Sequence, residues 1–192
     1  YPGQVAVISG ASRATFRELA WAARRVAAAL SAAGVACGDR VGILINNRTE
    51  WLEICFGAAA IGAVIVPFST WSKRRELDFL LADSRVKVLL ILDRFGDLEF
   101  AADIAVLVPE ALCARAGQWR SDRYPALTQI VVLGSPGFAG AAAYSAFIEG
   151  HPPLAELPPP GEGARAEEPA VVLYTSGSSA AISTARCVVS AL

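Results

Sequence analysis

The chain has 192 residues, 54% of them hydrophobic, and a formal net charge of −1 from 17 lysines and arginines set against 18 acidic residues. That length holds one domain with a sizeable core, and a near-neutral charge with scattered cations argues against a nucleic-acid-binding surface. No apolar run reaches the roughly 20 residues that span a bilayer, since the longest, residues 54–68, carries Gly57 and Gly62 and breaks at Pro67.

Thr15 and Glu18 have the spacing of a capping box, and Phe16, Leu19, Ala20, Ala23, Val26, Ala27 and Leu30 then recur at helical intervals as far as Gly34. An amphipathic helix is expected there. Residues 40–45 follow a Gly38-Asp39 turn as a short apolar run, which suits a strand buried on both faces. Asn46 and Asn47 turn the chain, and Thr49 is expected to cap a helix with Trp51, Leu52, Ile54, Cys55, Ala58 and Ala59 on its apolar face, closed by Gly62. Val64, Ile65 and Val66 make a second buried strand, ended by Pro67. Ser72 is the expected cap of a helix that turns Leu77, Leu80 and Leu81 inward, and residues 86–92 are the third strand.

Residues 95–118 read as helical with an interruption near Pro109, because proline lacks the N–H donor and disfavours the helical conformation before it. Residues 128–133 are a fourth strand, 134–140 a turn-rich loop and 144–149 a short helix. The stretch 151–168, with Pro158, Pro159 and Pro160, is read as a surface crossing within one domain, delivering an apolar strand at 170–173. Strands alternating with helices imply right-handed crossovers and an α/β fold, a mostly parallel sheet with helices on both faces. Ligands of such sheets bind beyond the carboxyl ends of the strands.

The strand at 170–173 runs into Tyr174, Thr175, Ser176, Gly177, Ser178 and Ser179. Backbone N–H groups freed by glycine, together with four hydroxyls, can converge on anionic oxygens without a charged side chain. Thr175, Ser176, Gly177, Ser178 and Ser179 are therefore the candidate nucleotide-phosphate residues. In isolation the same loop is an ordinary turn, so its weight comes from what precedes it.

Other chemistries find little support. Cys37, Cys55, Cys113 and Cys187 are too far apart for a C-x-x-C pair, and the lone His151, beside Pro152 and Pro153, reads as an exposed loop residue. No metal site or disulfide framework is expected, and reduced cysteines without a secretory leader suit the cytoplasm. A dinucleotide-dependent oxidoreductase is disfavoured, because the first strand leads into Asn46-Asn47-Arg48 rather than a glycine-rich turn. The absence of methionine from the 192 residues leads us to expect a piece of a longer product.

The segment from Tyr174 through Ser178, with Ser179 as a hydroxyl substitute, resembles the phosphate-binding motif of the adenylate-forming ligases, Tyr-Thr-Ser-Gly-Ser/Thr-Thr-Gly-x-Pro-Lys-Gly. Residues 15–19, 38–44 and 58–67 are similar to the family's opening helix, first core strand and following helix-to-strand passage, in the same order. Val66 to Thr70, read singly, leans toward acyl-CoA synthetases. The resemblance implies that residues 1–192 are a partial, truncated N-terminal AMP-binding domain, with 151–168 a connector, 169–179 the strand and phosphate loop, and 180–192 a tail that does not match. It implies ATP, Mg²⁺ and coenzyme A, a small-molecule carboxylate such as a fatty acid, and an acyl-adenylate followed by an acyl-CoA. The motif departs at Ala180, Ile182, Ser183 and Thr184, where glycine, proline, lysine and glycine are expected, and Arg186 is the only cation after it. Without the motif lysine the chain is expected to lack ligase activity, the alternative being a remnant or nucleotide-binding module without it.

Overall fold

The computed structural model describes residues 1–155, 169–176 and 182–185. The chain opens with a hairpin, β1 (Val5–Ser9) and β2 (Ser12–Thr15), paired antiparallel. Gly10, at φ 59°, makes the tight turn between them. Helix α1 (Phe16–Ala32) then begins on the expected capping box: Glu18 N donates to Thr15 Oγ1 at 3.3 Å and Thr15 N donates to Glu18 Oε2 at 2.7 Å. Of the stripe read from the sequence, Leu19, Ala23, Val26, Ala27 and Leu30 are buried, with Ala28 and Ala29 beside them, whereas Phe16 and Ala20 at its start are exposed.

Five parallel strands form the central sheet: β3 (Arg40–Leu44), β4 (Val64–Pro67), β5 (Val88–Leu92), β6 (Gln129–Leu133) and β7 (Ala141–Ala143), in the spatial order β4-β3-β5-β6-β7. The connecting helices are α2 (Thr49–Ala60), α3 (Arg74–Ser84) and α4 (Phe100–Leu107), with α5 (Tyr144–Glu149) after β7. The passage from β3 to β4 runs in one direction across the sheet, while those from β4 to β5 and from β5 to β6 run in the other. Right-handed crossovers therefore place α2 on one face and α3 with α4 on the opposite one. The helix contacts agree, since α1 packs on α2 and α5, and α3 packs on α4. Every residue of β5 is buried, as a central strand covered on both faces requires.

Four local expectations need correction. Thr49 is the first residue of α2 rather than its cap, which is Arg48 in extended conformation with no side-chain bond to the helix. Lys73, not Ser72, caps α3, with its N–H donating to Glu76 Oε2 at 2.8 Å, while Ser72 is buried. The helix expected over 95–118 shrinks to α4 and a single 3-10 turn at Pro109–Ala111, because Pro109 removes the donor that would have extended it. His151 is half-buried rather than exposed, and its Nδ1 donates to the Phe147 carbonyl at 3.1 Å. Among the described residues no helix is long and apolar enough to cross a membrane, and no three His, Cys, Asp or Glu side chains are grouped to hold a metal ion. Of the connector and the tail, residues 156–168, 180–181 and 186–192 lie outside the described residues.

Candidate functional site

The strand expected at 170–173 joins the sheet at one point. Val171 bridges Ile65 in parallel, with Ile65 N donating to Ala170 O and Val172 N to Ile65 O, both at 2.9 Å. The regular strand begins three residues later than expected, as β8 (Leu173–Ser176), paired antiparallel with β9 (Ile182–Ala185). At that bridge Val171 runs in the direction of β4. Thr175 and Ser176 belong to the strand, opposite Ser183 and Ile182. Gly177, Ser178 and Ser179 lie outside the described residues.

Tyr174, between the bridge and those hydroxyl residues, is half-buried, and its hydroxyl donates to Asp83 Oδ2 at 2.5 Å. Burial first, then the bond to a carboxylate and that carboxylate's charge, push the phenol above its ordinary range. It remains a neutral donor throughout the physiological pH range.

A second concavity lies where the chain leaves adjacent strands toward opposite faces, after β3 toward α2 and after β5 toward α4. This is the topological switch point of the sheet. The crevice has a volume of about 440 Å³ and is lined by Asn46 and Arg48 from the end of β3, Asp93 and Arg94 from the end of β5, Gly134 after β6, and Tyr144. Asn46 Oδ1 is buried there without a hydrogen-bond partner. Arg48 is held in bidentate fashion by Glu50, with Nε and Nη2 at 2.8 and 2.6 Å from the carboxylate. Asp93 accepts from the Arg94 and Ser135 backbone N–H groups at 2.8 and 3.3 Å. Gly134 lets the neighbouring turn lie against that carboxylate, for a Cβ there would stand 2.4 Å from Asp93 Cγ, and its φ of 119° also favours glycine.

Behind the crevice the Tyr144 hydroxyl donates to Glu53 Oε2 at 3.1 Å. Burial, partly opposed by that bond, holds the Glu53 carboxyl above the ordinary carboxylate range. An acid raised in the folded state ionises first in the unfolded chain, so stability falls as pH rises through the unfolded value of about 4.3 and on toward the folded one. Glu53→Gln keeps an acceptor for Tyr144 and removes this penalty. Its melting temperature is expected to exceed the parent's at pH 8 and to match it at pH 4, which a pair of thermal scans would check.

The family profile described as AMP-binding enzyme matches residues 1–181, a span that takes in the sheet, the switch point and the strand carrying Thr175 and Ser176. The chain belongs to that family. Among curated relatives, it is 34% identical over 142 residues to the putative acyl-CoA synthetase YngI of Bacillus subtilis, a match covering 73% of this chain and 26% of that protein. Against the long-chain-fatty-acid–CoA ligase FadD13 of Mycobacterium tuberculosis the identity is 41% over 78 residues, covering 41% of this chain and 16% of the ligase. The crystal structure of the anthranilate CoA ligase AuaEII in complex with anthranoyl-AMP superposes with a TM-score of 0.79 at 25% identity, covering 95% of this chain and 31% of that one. ATP-bound MatB from Rhodopseudomonas palustris shares the fold, with a TM-score of 0.72 at 24% identity over 96% of this chain and 31% of MatB. The chain therefore spans about a quarter of YngI and under a third of AuaEII.

The motif residues could be picked from the sequence because they are contiguous. The crevice could not, since it is assembled from the ends of three strands, and its only sequence signal was the Asn46-Asn47-Arg48 turn after the first core strand.

Proposed function

We propose that residues 1–192 form a partial AMP-binding domain that supplies the phosphate-holding side of an AMP-forming carboxylate–CoA ligase. In that reaction a carboxylate oxygen attacks the α-phosphorus of ATP, the bond to the β-phosphate oxygen breaks, and pyrophosphate leaves an acyl-adenylate. The sulfur of coenzyme A then attacks the acyl carbon, and AMP departs. Mg²⁺ enters with ATP as part of the substrate. Thr175, Ser176, Gly177, Ser178 and Ser179 are the residues assigned to the phosphates, through hydroxyls and backbone N–H donors. The observation that supports this reading is the AMP-binding family match over residues 1–181, a span that includes the Tyr174–Ser178 stretch resembling the phosphate-binding motif. The relatives named acyl-CoA synthetase and fatty-acid–CoA ligase support a fatty or related organic acid as the carboxylate.

Binding without turnover is favoured by Ser183, which stands where the family motif has lysine and pairs with Thr175 across the β8–β9 ladder. Bringing an anionic carboxylate to a polyanionic phosphate needs positive charge at the reacting centre, and a serine supplies none. A calorimetric titration with ATP and Mg²⁺ is expected to show binding in the micromolar-to-millimolar range usual for substrates. Pyrophosphate exchange with a fatty acid present is expected to be absent. A flat titration at millimolar ATP would overturn the phosphate assignment, and measurable exchange would overturn the inactivity.

A further inference from the structure

Among the described residues, the segment that bears Thr175 and Ser176 is attached to the body of the domain through a short stretch, with Val171 and Tyr174 packed against the core. Its backbone joins the central sheet, among the described residues, through the two hydrogen bonds at Ile65, and its ladder partner is β9, another part of the same terminal hairpin. Such a segment can open locally without unfolding the rest. Val172 is buried, and the Tyr174 hydroxyl reaches Asp83, 91 residues away at the end of α3.

The end of α3 is itself held in place. Arg40 Nη1, from the first residue of β3, donates to the Ser84 carbonyl at 2.7 Å, and Arg85 turns out of the helix in the left-handed region at φ 52°. Ser84 is fully buried, so the residue next to Asp83 cannot swing freely. The acceptor is thus mounted on a fixed element, whereas the donor sits on a lightly attached one.

We infer that Asp83 is a positioning residue: by accepting from Tyr174 it latches β8 onto the sheet edge and fixes where Thr175 and Ser176 stand. The inference rests on the phosphate assignment for its functional meaning, while the latch itself is a separate physical claim. Tyr174 remains a neutral donor across the working pH range, so the latch is not a pH switch. Its strength is that of one charge-assisted hydrogen bond at a partly exposed place, enough to change a local opening constant about fivefold.

Native-state hydrogen exchange on the full chain tests it. The amides of residues 172 and 174–176 are read, with those of residues 89–91 in β5 as an internal control for global stability. Tyr174→Phe and Asp83→Ala are each expected to speed exchange in the first set about fivefold while leaving the β5 amides unchanged. The double variant should be no faster than either single one, and Asp83→Asn, which keeps an oxygen acceptor, should stay near the parent. Unchanged exchange in both single variants, or effects that multiply in the double variant, would overturn the latch. ATP titration of the same proteins separates the two claims. If the parent binds no nucleotide but the exchange pattern holds, the phosphate assignment fails and the latch stands. If the parent binds and the unlatched variants bind several-fold more weakly, both hold; equal binding would remove the positioning role.

Discussion

Gly57→Val is expected to destabilise the domain by about 3 kcal/mol, because it forces a branched side chain into the contact between α1 and α2. Gly57 is buried in α2, and even a Cβ there would lie 2.8 Å from both the Ala23 carbonyl oxygen and the Val26 Cβ. One of those neighbours is backbone and the other is a fully buried side chain, so neither can move aside alone. The helix as a whole must shift from its partner. Replacing glycine within a helix gains at most about 1 kcal/mol of propensity, which does not offset the displacement. Melting should fall by roughly 6–12 °C, on the usual scaling for a chain of this size. Gly57→Ala, with one methyl and the full propensity gain, should lose less than half as much. A valine variant melting within two degrees of the parent would show that the helices do not meet at this point.

Leu90→Ala is expected to cost about 4 kcal/mol, the middle of the range for removing a buried leucine from a packed core. Leu90 has no exposed surface and stands in the middle of β5, level with Ile43 on one side and Val131 on the other. With neighbours on both sides and helices over both faces, the surroundings have little room to collapse into the space left behind. Ile8→Ala is the matched control. Ile8 is 61% exposed on the opening hairpin, and its loss should stay within about 0.5 kcal/mol. Chemical denaturation would give both values from shifts in midpoint at constant slope. Similar costs for the two variants would mean that the sheet is not the cooperative core.

How much of this was readable beforehand follows from how local each signal is. The capping box and the apolar stripe of α1 lie within a few turns, and the buried strands β3, β4 and β5 announce themselves as short runs dominated by β-branched residues and leucine. The strand β7 carries no such mark. It is three alanines, a residue depleted in strands, and its place is set by pairing with residues 130–132 rather than by preference. The opening hairpin carries no such signal, because its strands are five and four residues long and none of their residues is buried, so neither burial nor periodicity singles them out. The helical reading of 95–118 failed where apolar residues continue through a proline that ends the backbone ladder. Family membership was legible because its motif residues are adjacent and ordered. The pairs that organise the ends of the strands, Tyr174 with Asp83 and Tyr144 with Glu53, each join residues 91 positions apart, and no window of sequence contains them.

The bridge between Ile65 and Val171 has a consequence during synthesis. The outer margin of β4 must wait for a stretch of about a hundred residues to leave the ribosome before its partner arrives, a delay of roughly 5–20 s at ordinary rates of elongation. Through that interval the nascent chain presents unpaired N–H and C=O groups along an apolar ribbon, the template on which neighbouring polypeptides aggregate. Expression at low temperature, where both elongation and association slow, cannot shorten that window; holding nascent chains apart can.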